Sequence, residues 1–347
     1  MPELVALSVP SSRFVDDLRR SWDDGDAVFP LDTRLAMPAR NAVLDAIAPA
    51  VVVDEHGDRQ HRDDAIPVED GDALVVATSG TTGEPRGVVL THDAVRASAL
   101  ATSARIDVDP SRDRWLACLP LSHVGGLSVV TRAIATDTPV ELQAGFDAGA
   151  VERAGRAGST LVSLVPTALR RIDAALFRVI VLGGAAPPEA LSPNVVTTYG
   201  MTETGSGVVY DGIPLEGVEV AVDDEDGSIM LRGPMLLRCY RDGRDPKHSG
   251  GWLDTGDIGE LGDAGRLVVH GRRDDLIITG GENVWPEPVE RVLAAVPGVA
   301  DVAIAARADA EWGQRVVAFV VPSAQGPPSL DVLRAAVKDA LAPHAAP

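Results

Sequence analysis

The sequence has little cysteine, little lysine and no long apolar run. Its two cysteines, Cys118 and Cys239, lie in unrelated contexts, which argues against a disulfide framework or a zinc site and fits a reducing compartment. The only lysines are Lys247 and Lys338, so nearly all positive charge is arginine. Apolar runs are strand-sized, shorter than the roughly 20 residues of a membrane span, and the N-terminus lacks the pattern of a secretory signal. We therefore expect a cytoplasmic protein with no membrane span.

Charge and composition narrow the class further. The 347 residues include 51 Asp and Glu against 31 Lys and Arg, a net charge of −20. Such an acidic chain argues against a general nucleic-acid binder, although a local basic cluster could still hold a phosphate. Apolar residues make up 45% and charged residues 24%, which is typical of a globular protein. The length suggests about two domains.

Strand-like and helical stretches alternate in the first part of the chain. Two N-terminal segments, 12–22 and 41–48, read as helices, with a strand at 51–54. The later strand-like runs are 74–77, 88–90, 115–119, 161–165 and 179–182, and the helical stretches are 93–103 and 167–174. This alternation predicts an α/β fold with a mostly parallel sheet.

The pattern changes after Asn194, where Gly, Asp and Pro become frequent and the apolar runs shorten. We expect a smaller β-rich subdomain over about 195–273, folded as a barrel or a curved sheet. The last block has a helix at 286–296, strands at 302–306 and 316–321, and a helix at 330–341. We therefore predict an N-terminal domain over 1–273 and a small α+β C-terminal domain over 274–347.

One polar loop stands out between two strand-like runs. Thr78–Gly87 reads TSGTTGEPRG and carries four hydroxyls and three glycines, which can wrap hydroxyl and N–H groups around phosphate oxygens. A Walker-type loop needs a Gly-Lys pair that opens a helix, and this segment has neither. The residues alone leave two interpretations open, a phosphate loop or a mobile polar hairpin loop.

This loop resembles the phosphate-binding loop of the adenylate-forming superfamily, which includes acyl- and aryl-CoA ligases, luciferases and peptide-synthetase adenylation domains. The resemblance implies a fold with a small mobile C-terminal domain. It also implies that ATP phosphates contact Thr78, Ser79, Gly80, Thr81, Thr82, Gly83 and Arg86. The family usually has lysine at the position of Arg86, and arginine keeps the charge but changes the geometry.

The segment Tyr199–Glu203, YGMTE, resembles the family's adenine and magnesium motif. By that resemblance Tyr199 and Gly200 contact adenine, Thr202 lies near the phosphate and the attacking carboxylate, and Glu203 binds Mg²⁺. A flat ring beside a glycine turn suits a purine, and a carboxylate is a ligand that Mg²⁺ uses. A core tyrosine followed by a helix-capping Thr-Glu pair is the alternative.

Two further motifs lie closer to the C-terminus. GWLDTGD, ending at Asp257, resembles the family's ribose motif, and a carboxylate suits a vicinal diol because it accepts hydrogen bonds from both hydroxyls. The segment Gly271–Asn283 resembles the inter-domain hinge, with Arg272 near the ribose and phosphates and Asp274 as the hinge residue. The expected CoA-side residues are Gly280, Gly281 and Glu282. The alternatives are a turn aspartate and a solvated Arg/Asp ion-pair cluster.

Two weaker segments complete the resemblance. LPLSHVGG resembles the motif whose histidine, here His123, gates or lines the acid pocket, although a lone histidine in an apolar run is more often a core residue. VLGGAAP resembles the strand-to-loop element that lines the adenine and acyl pocket, with Gly184 and Ala185 in that role. Small residues there let a flat ligand approach the backbone.

These motifs follow one another in the family's order. The resemblance implies a reaction with ATP, Mg²⁺, CoA as a substrate and a small-molecule acid. The sequence leaves the oligomeric state open, with a homodimer as one alternative. The compact N-terminal part and segments such as GGENVWPEPVE are most similar to 2-succinylbenzoate–CoA ligases of menaquinone biosynthesis. Another acyl- or aryl-CoA ligase, a stand-alone carrier-loading adenylation enzyme, and a non-catalytic nucleotide-binding relative stay open as alternatives.

One element of the family pattern has no counterpart here. The family's adenylation step uses a lysine after the last helix of the small domain, where it neutralises developing charge. Lys247 precedes the Gly250–Gly251 turn, and Lys338 lies inside the final helical stretch, so neither fits. We therefore expect the natural protein to continue past Pro347.

Overall fold

The computed structural model describes residues 1–79, 85–188 and 190–347. Within these ranges, no helix has both the length and the apolar character needed to cross a membrane. The chain forms two compact units, which are described separately below. The first unit comprises Met1–Val220 and Leu231–Leu253, and the second comprises Ala221–Met230 and Asp254–Pro347. The domain boundary at 273/274 stays a prediction, because these units divide the chain by compactness and not by movement.

The first unit contains two mixed sheets of seven strands each among the described residues. Its strands are Leu4–Leu7 (β1), Ala27–Pro30 (β2), Val51–Val53 (β3), Arg59–His61 (β4), Asp72–Ser79 (β5), Pro85–Thr91 (β6), Trp115–Ala117 (β7), Val140–Leu142 (β8), Leu161–Leu164 (β9), Val179–Leu182 (β10), Val195–Met201 (β11), Ser206–Tyr210 (β12) and Ile213–Pro214 (β13). Further along the chain come Glu219–Val222 (β14) and Ser228–Arg232 (β15), which belong to a sheet that lies mostly in the second unit, and then Cys239–Tyr240 (β16) of the first unit. The two seven-stranded sheets have the strand orders β16-β6-β5-β2-β1-β3-β4 and β13-β12-β11-β10-β9-β7-β8. The helices of the first unit are Ser11–Asp23 (α1), Met37–Ile47 (α2), His92–Arg105 (α3), Val124–Thr136 (α4), Ala148–Arg156 (α5) and Pro166–Leu169 (α6).

The α/β prediction is confirmed by the second of these sheets. Strands β8, β7, β9, β10 and β11 run parallel, β12 is antiparallel to β11, and β13 is antiparallel to β12. Strands buried on both faces read as continuous apolar runs, which is why Leu161–Leu164 and Val179–Leu182 were visible in the sequence. The core around them contains Leu116, Val162 and Ile180, all fully buried.

The second unit has two four-stranded sheets. The sheet β14-β15-β17-β18, which belongs mostly to this unit, is open rather than closed into a barrel. The other sheet, β20-β19-β22-β21, carries a core that includes Ile277, Val289, Leu293 and Val337. The remaining elements are Leu253–Leu261 (β17), Leu267–Arg272 (β18), Ile277–Thr279 (β19), Glu282–Val284 (β20), Pro286–Ala294 (α7), Val299–Asp309 (β21), Gly313–Pro322 (β22) and Leu330–Ala340 (α8).

One predicted helix is wrong. The stretch 167–174 was expected to form one helix, but α6 ends at Leu169 and a separate 3-10 turn follows at Ala174–Leu176. Asp173 explains the break, because its carboxylate accepts a hydrogen bond from the main-chain N–H of Ala175 at 3.0 Å and caps the new turn.

The most fully buried carboxylate in an ion pair is Asp113, whose side chain has no exposed surface. It accepts hydrogen bonds from Arg178 Nη2 at 2.6 Å, Thr160 Oγ1 at 2.8 Å and the Asp109 N–H at 2.9 Å. Burial acts to raise the pKa of Asp113, but these hydrogen bonds and the nearby guanidinium outweigh it and hold the pKa below the ordinary value of 3.8.

We expect Asp113→Asn to lower the free energy of unfolding by about 3 kcal/mol at pH 7, because it leaves the Arg178 guanidinium without its partner. Since the pKa is lower in the folded state, this stabilisation is present above about pH 4 and is lost as the pH falls through the folded-state pKa. Urea unfolding between pH 2.5 and 7 measures both effects. Asp107→Asn, at a carboxylate that is 89% exposed, is the control and should change stability by less than about 0.5 kcal/mol. A pH-independent difference would contradict this prediction.

Candidate active site

The predicted phosphate loop connects two antiparallel strands, β5 and β6. Thr78 lies opposite Arg86 in the register, and the main chain of Ser79 pairs with Pro85. A strand therefore follows the loop, as the sequence indicated, and not the helix of a Walker-type site. Gly80, Thr81, Thr82 and Gly83 lie outside the described residues. The Arg86 guanidinium lies 5.9 Å from the centre of the Tyr240 ring.

The YGMTE segment contains a bulge near the end of strand β11 and continues into a 3-10 turn. The bulge falls between Tyr199 and Gly200, and Thr202–Thr204 forms the turn. The Thr204 hydroxyl accepts from the N–H of Met201 at 2.9 Å, so the capping residue is Thr204 and not the Thr202-Glu203 pair. Tyr199 and Thr202 are half-buried, and Gly200 is exposed.

Glu203 is held at both its main chain and its side chain. The Tyr240 hydroxyl donates to Glu203 Oε1 at 2.9 Å, and the Leu237 N–H donates to the Glu203 carbonyl at 2.7 Å. Burial and the adjacent Glu203 raise the pKa of Tyr240 to about 12, so the phenol is protonated at neutral pH. Sequence reasoning missed Tyr240, although it is one of three tyrosines in a chain with 4% aromatic residues.

This geometry fits a magnesium ion that comes with a nucleotide. Among the described residues, no group of three or more His, Cys, Asp or Glu could hold a metal ion by itself. Mg²⁺ in nucleotide sites is commonly held by one or two carboxylates together with substrate phosphates and waters. Glu203 can supply such a carboxylate, with Oε1 already engaged by Tyr240.

The first unit also contains a cavity of about 130 Å³. Helix α4 forms part of its lining, together with residues at the ends of β9, β10 and β11. Gly184 and Gly200 from the predicted site line it. The other lining residues are Leu119, Val124, Gly125, Ser128, Arg132, Ser163, Leu164, Val165, Val181, Gly183, Thr198, Met201, Ser206 and Gly207.

Among the described residues that line this cavity, Arg132 carries the only charged side chain, and only 2% of it is exposed. Its guanidinium donates to Ser163 Oγ at 3.3 Å, to Ser206 Oγ, and to the Tyr210 hydroxyl at 3.4 Å. Its Nε has no hydrogen-bond partner within the described part of the chain. These partners are neutral, so a buried positive charge faces the cavity with no carboxylate ion-paired to it among the residues described.

Arg132 was not identified from the sequence, because helix α4 was not predicted. Without the helix, the sequence did not indicate whether the Arg132 side chain is buried or exposed. Two other predicted residues lie away from the cavity lining. His123 is exposed at the N-terminal cap of α4, and Ala185 is exposed in the loop after β10. Their roles in the acid and adenine pockets stay predictions.

In the second unit, Asp257 and Arg272 form a cross-strand pair. They are register partners on β17 and β18, and Arg272 Nε lies 3.0 Å from Asp257 Oδ1. Arg272 also donates to the Thr255 carbonyl at 2.8 Å. The Asp257 side chain is 8% exposed, whereas that of Arg272 is 53% exposed. Two residues that the resemblance assigned to the ribose therefore lie in contact.

The predicted hinge residue, Asp274, is exposed in the 3-10 turn Arg273–Asp275 and borders a cavity of about 380 Å³ that Trp285 also lines. Gly280 and Gly281 form the two-residue turn of the β19–β20 hairpin, with φ of +60° and +85°. Such a turn requires positive φ at both positions. A Cβ at Gly280 would lie 2.6 Å from the Trp312 ring, so the fold already demands this glycine. Glu282 is exposed on β20.

Comparison with known proteins agrees with this architecture. The family described as AMP-binding enzyme matches residues 24–241, and its C-terminal domain matches 288–347. A probable 2-succinylbenzoate–CoA ligase of Mycobacterium tuberculosis is 41% identical over 348 aligned residues, covering 91% of this chain and 89% of that protein.

Two solved structures of o-succinylbenzoate CoA synthetase from Bacillus subtilis are also similar. The complex with the acyl-adenylate intermediate OSB-AMP has a TM-score of 0.88 at 28% identity, covering 99% of this chain and 83% of that one. The complex with ATP and magnesium ion has a TM-score of 0.86 at 27% identity, covering 99% and 84%. Fold, motif order and family match agree, and the chain belongs to the AMP-binding enzyme family.

Proposed function

We propose that this protein is an ATP-dependent 2-succinylbenzoate–CoA ligase of menaquinone biosynthesis. It converts the acid and ATP to an acyl-adenylate and then forms the CoA thioester. Relatives of this name align along most of the chain. The observation that carries the substrate assignment is Arg132, the buried guanidinium that lines the cavity beside Ser163 and Ser206.

A buried charge without a counterion is costly unless something else supplies that counterion. The acid 2-succinylbenzoate has two carboxylates, one on the succinyl chain that reacts and one on the ring. The ring carboxylate can pair with Arg132, while the neutral hydroxyls of Ser163, Ser206 and Tyr210 hold the guanidinium in place. A fatty acid or a benzoate that used its single carboxylate for the reaction would leave Arg132 unpaired, and the site would disfavour it.

The remaining residues take the roles that the family pattern gives them. The segment Thr78–Gly87 binds the ATP phosphates, Tyr199 lies against adenine, and Asp257 with Arg272 binds the ribose. Glu203 holds the divalent cation, which when bound neutralises phosphate charge. The succinyl carboxylate attacks the α-phosphorus and pyrophosphate leaves. The CoA thiolate then attacks the acyl carbon, and AMP leaves.

The thioester half-reaction tests this proposal directly. Purified 2-succinylbenzoyl-adenylate is mixed with the protein and CoA, and thioester and AMP are measured by chromatography, with butyryl-adenylate as the comparison. We expect succinylbenzoyl-CoA to form with one AMP per thioester, much faster than butyryl-CoA. Equal rates with both adenylates would contradict the substrate assignment. No thioester from either would contradict the ligase assignment.

The choice of CoA over a carrier-protein thiol follows the names of the relatives, which are CoA ligases and synthetases.

A cytoplasmic location and a homodimer are carried forward from the sequence as part of the proposal. Gel filtration with light scattering tests the dimer. A single species at the mass of one 36.2 kDa chain would contradict it.

Asp274 gives a prediction about the hinge. Proline at this position fixes φ near −65° and restricts the residue before it, so Asp274→Pro should hold the turn Arg273–Asp275 in one conformation. We expect one half-reaction to persist within about threefold while the other falls at least about tenfold. Separate assays of adenylate formation and thioester formation measure this. Equal loss of both, with an unchanged circular dichroism spectrum, would contradict the hinge assignment.

A further inference from the structure

We propose that Tyr240 is a positioning residue for Glu203, with its hydroxyl holding one carboxylate oxygen so that the other is presented to the divalent cation of the nucleotide. This inference rests on the proposed function, because it takes Glu203 as the magnesium ligand. The hydroxyl lies 2.9 Å from Glu203 Oε1. Tyr240 itself is not placed in contact with the substrates.

The two donors to Glu203 come from one short segment. Leu237 donates its N–H to the Glu203 carbonyl at 2.7 Å, and Tyr240, three residues later, donates to the side chain. A free glutamate side chain samples several rotamers, and ordering such a side chain costs conformational entropy. With both ends held, that ordering is complete before a nucleotide binds.

The segment that supplies these donors is itself fixed on two sides. Lys247 Nζ donates to the Leu237 carbonyl at 2.7 Å and to the Arg238 carbonyl at 2.9 Å. On the other side, Tyr240 pairs with Val88 of β6, the strand that follows the phosphate loop. Lys247, one of the two lysines of the chain, therefore holds this segment in place. The segment contacts both the β5–β6 hairpin, which carries the phosphate loop, and the turn that carries Glu203.

The Tyr240 ring has a second set of neighbours. The guanidinium groups of Arg244 and Arg86 lie 5.0 Å and 5.9 Å from its centre, within the range of cation–π attraction. Phenylalanine would keep the ring and these contacts while removing the hydroxyl. Tyr240→Phe therefore separates the hydrogen bond to Glu203 from the packing of the ring.

Metal ligands depend on such outer hydrogen bonds, and their loss typically weakens metal affinity or activity by 10- to 100-fold. The readout is calorimetric binding of α,β-methylene-ATP, whose α–β bridge cannot be cleaved, measured once with Mg²⁺ and once with EDTA. The dissociation constant with EDTA divided by that with Mg²⁺ reports how much the cation strengthens nucleotide binding. For Tyr240→Phe we expect this ratio to fall about tenfold, with the EDTA value within about twofold of the wild type.

Two further variants separate the possible failures. Glu203→Gln should reduce the ratio at least as much as Tyr240→Phe, and the double variant should add little, because both act on one contact. Thr138→Val, which removes a buried hydroxyl that contacts the Thr136 hydroxyl at 2.7 Å, is the control and should keep the wild-type ratio. A wild-type ratio in Tyr240→Phe, with loss in Glu203→Gln, would overturn the positioning role alone. A wild-type ratio in both would overturn the metal role of Glu203. Equal weakening with Mg²⁺ and EDTA would also overturn the proposal.

Discussion

Replacing Arg132 by methionine is expected to lower kcat/KM for 2-succinylbenzoate by about 10²- to 10³-fold. The guanidinium lines the cavity, is 2% exposed, and has Ser163, Ser206 and Tyr210 as its hydrogen-bond partners. Without it, the ring carboxylate enters the cavity with no positive partner. Truncating one side of a buried charge pair commonly costs 2–5 kcal/mol, and about 1.4 kcal/mol corresponds to a factor of ten. Steady-state kinetics on both variant and wild type measure the change.

The control substrate is 4-oxo-4-phenylbutanoate, which keeps the reacting carboxylate and lacks the one on the ring. We expect Arg132→Met to change its kcat/KM by less than about threefold, or to raise it. For 2-succinylbenzoate, the kcat/KM of Arg132→Lys should lie between those of the wild type and Arg132→Met, because lysine keeps the charge but cannot form a bidentate contact with a carboxylate. An equal loss with both acids would show that Arg132 supports the cavity generally and does not read the second carboxylate.

The same substitution has an expected effect on stability. An apolar side chain in place of a buried charge is often neutral or stabilising, and within the described residues Arg132 has no carboxylate partner to lose. We therefore expect Arg132→Met to unfold in urea at the same concentration as the wild type or a higher one. Unchanged or higher stability together with a loss of activity would indicate that Arg132 serves substrate binding and not folding.

Asp257→Ala is expected to lower kcat/KM for ATP by about 10²-fold or more. Its carboxylate is 8% exposed and paired with Arg272 at 3.0 Å, so it is fixed in position before a nucleotide arrives. Two hydrogen bonds from ribose hydroxyls to a charged acceptor contribute about 1.5–3 kcal/mol each. The specific readout is 2′-deoxy-ATP. The wild type should prefer ATP to 2′-deoxy-ATP by at least about tenfold, and the variant should show almost no preference.

Asp254 provides a matched control on the same strand. It forms an ion pair with Arg273 at 3.0 Å, and its side chain is 33% exposed. Asp254→Ala removes a carboxylate and an ion pair from β17 but should leave the preference for ATP unchanged. If Asp257→Ala kept the wild-type preference, the ribose assignment would be wrong, whatever its effect on overall activity.

Much of the fold could be predicted because the signal is local. The periodic segment from Ser12 to Trp22 became α1, and 179–182 became β10 with the same bounds. Helix α4 was missed because two glycines follow its first residue and four of its first eight residues are β-branched, which together disguise a helical pattern. Gly126 explains part of this: a Cβ there would lie 2.4 Å from the Pro120 carbonyl, so the fold requires glycine where a helix former would be expected.

The residues of the candidate site also fall into those that could be predicted from the sequence and those that could not. Motifs that are contiguous in sequence, such as the one ending at Asp257, could be found from residue types and order. Arg132 and Tyr240 could not, because what distinguishes them is a relation between distant segments. Arg132 meets Ser206, 74 positions away, and Tyr240 meets Glu203, 37 positions away. No pattern within a window of the sequence reports such contacts.

The identity of the acid substrate can be tested by mass spectrometry of the reaction products. The protein is incubated with MgATP, CoA and a panel of 2-succinylbenzoate, benzoate, and short- and long-chain fatty acids, and every CoA thioester is quantified together with AMP. We expect succinylbenzoyl-CoA to dominate the panel, with AMP formed in equal amount. A thioester of another acid in excess over succinylbenzoyl-CoA would contradict this expectation.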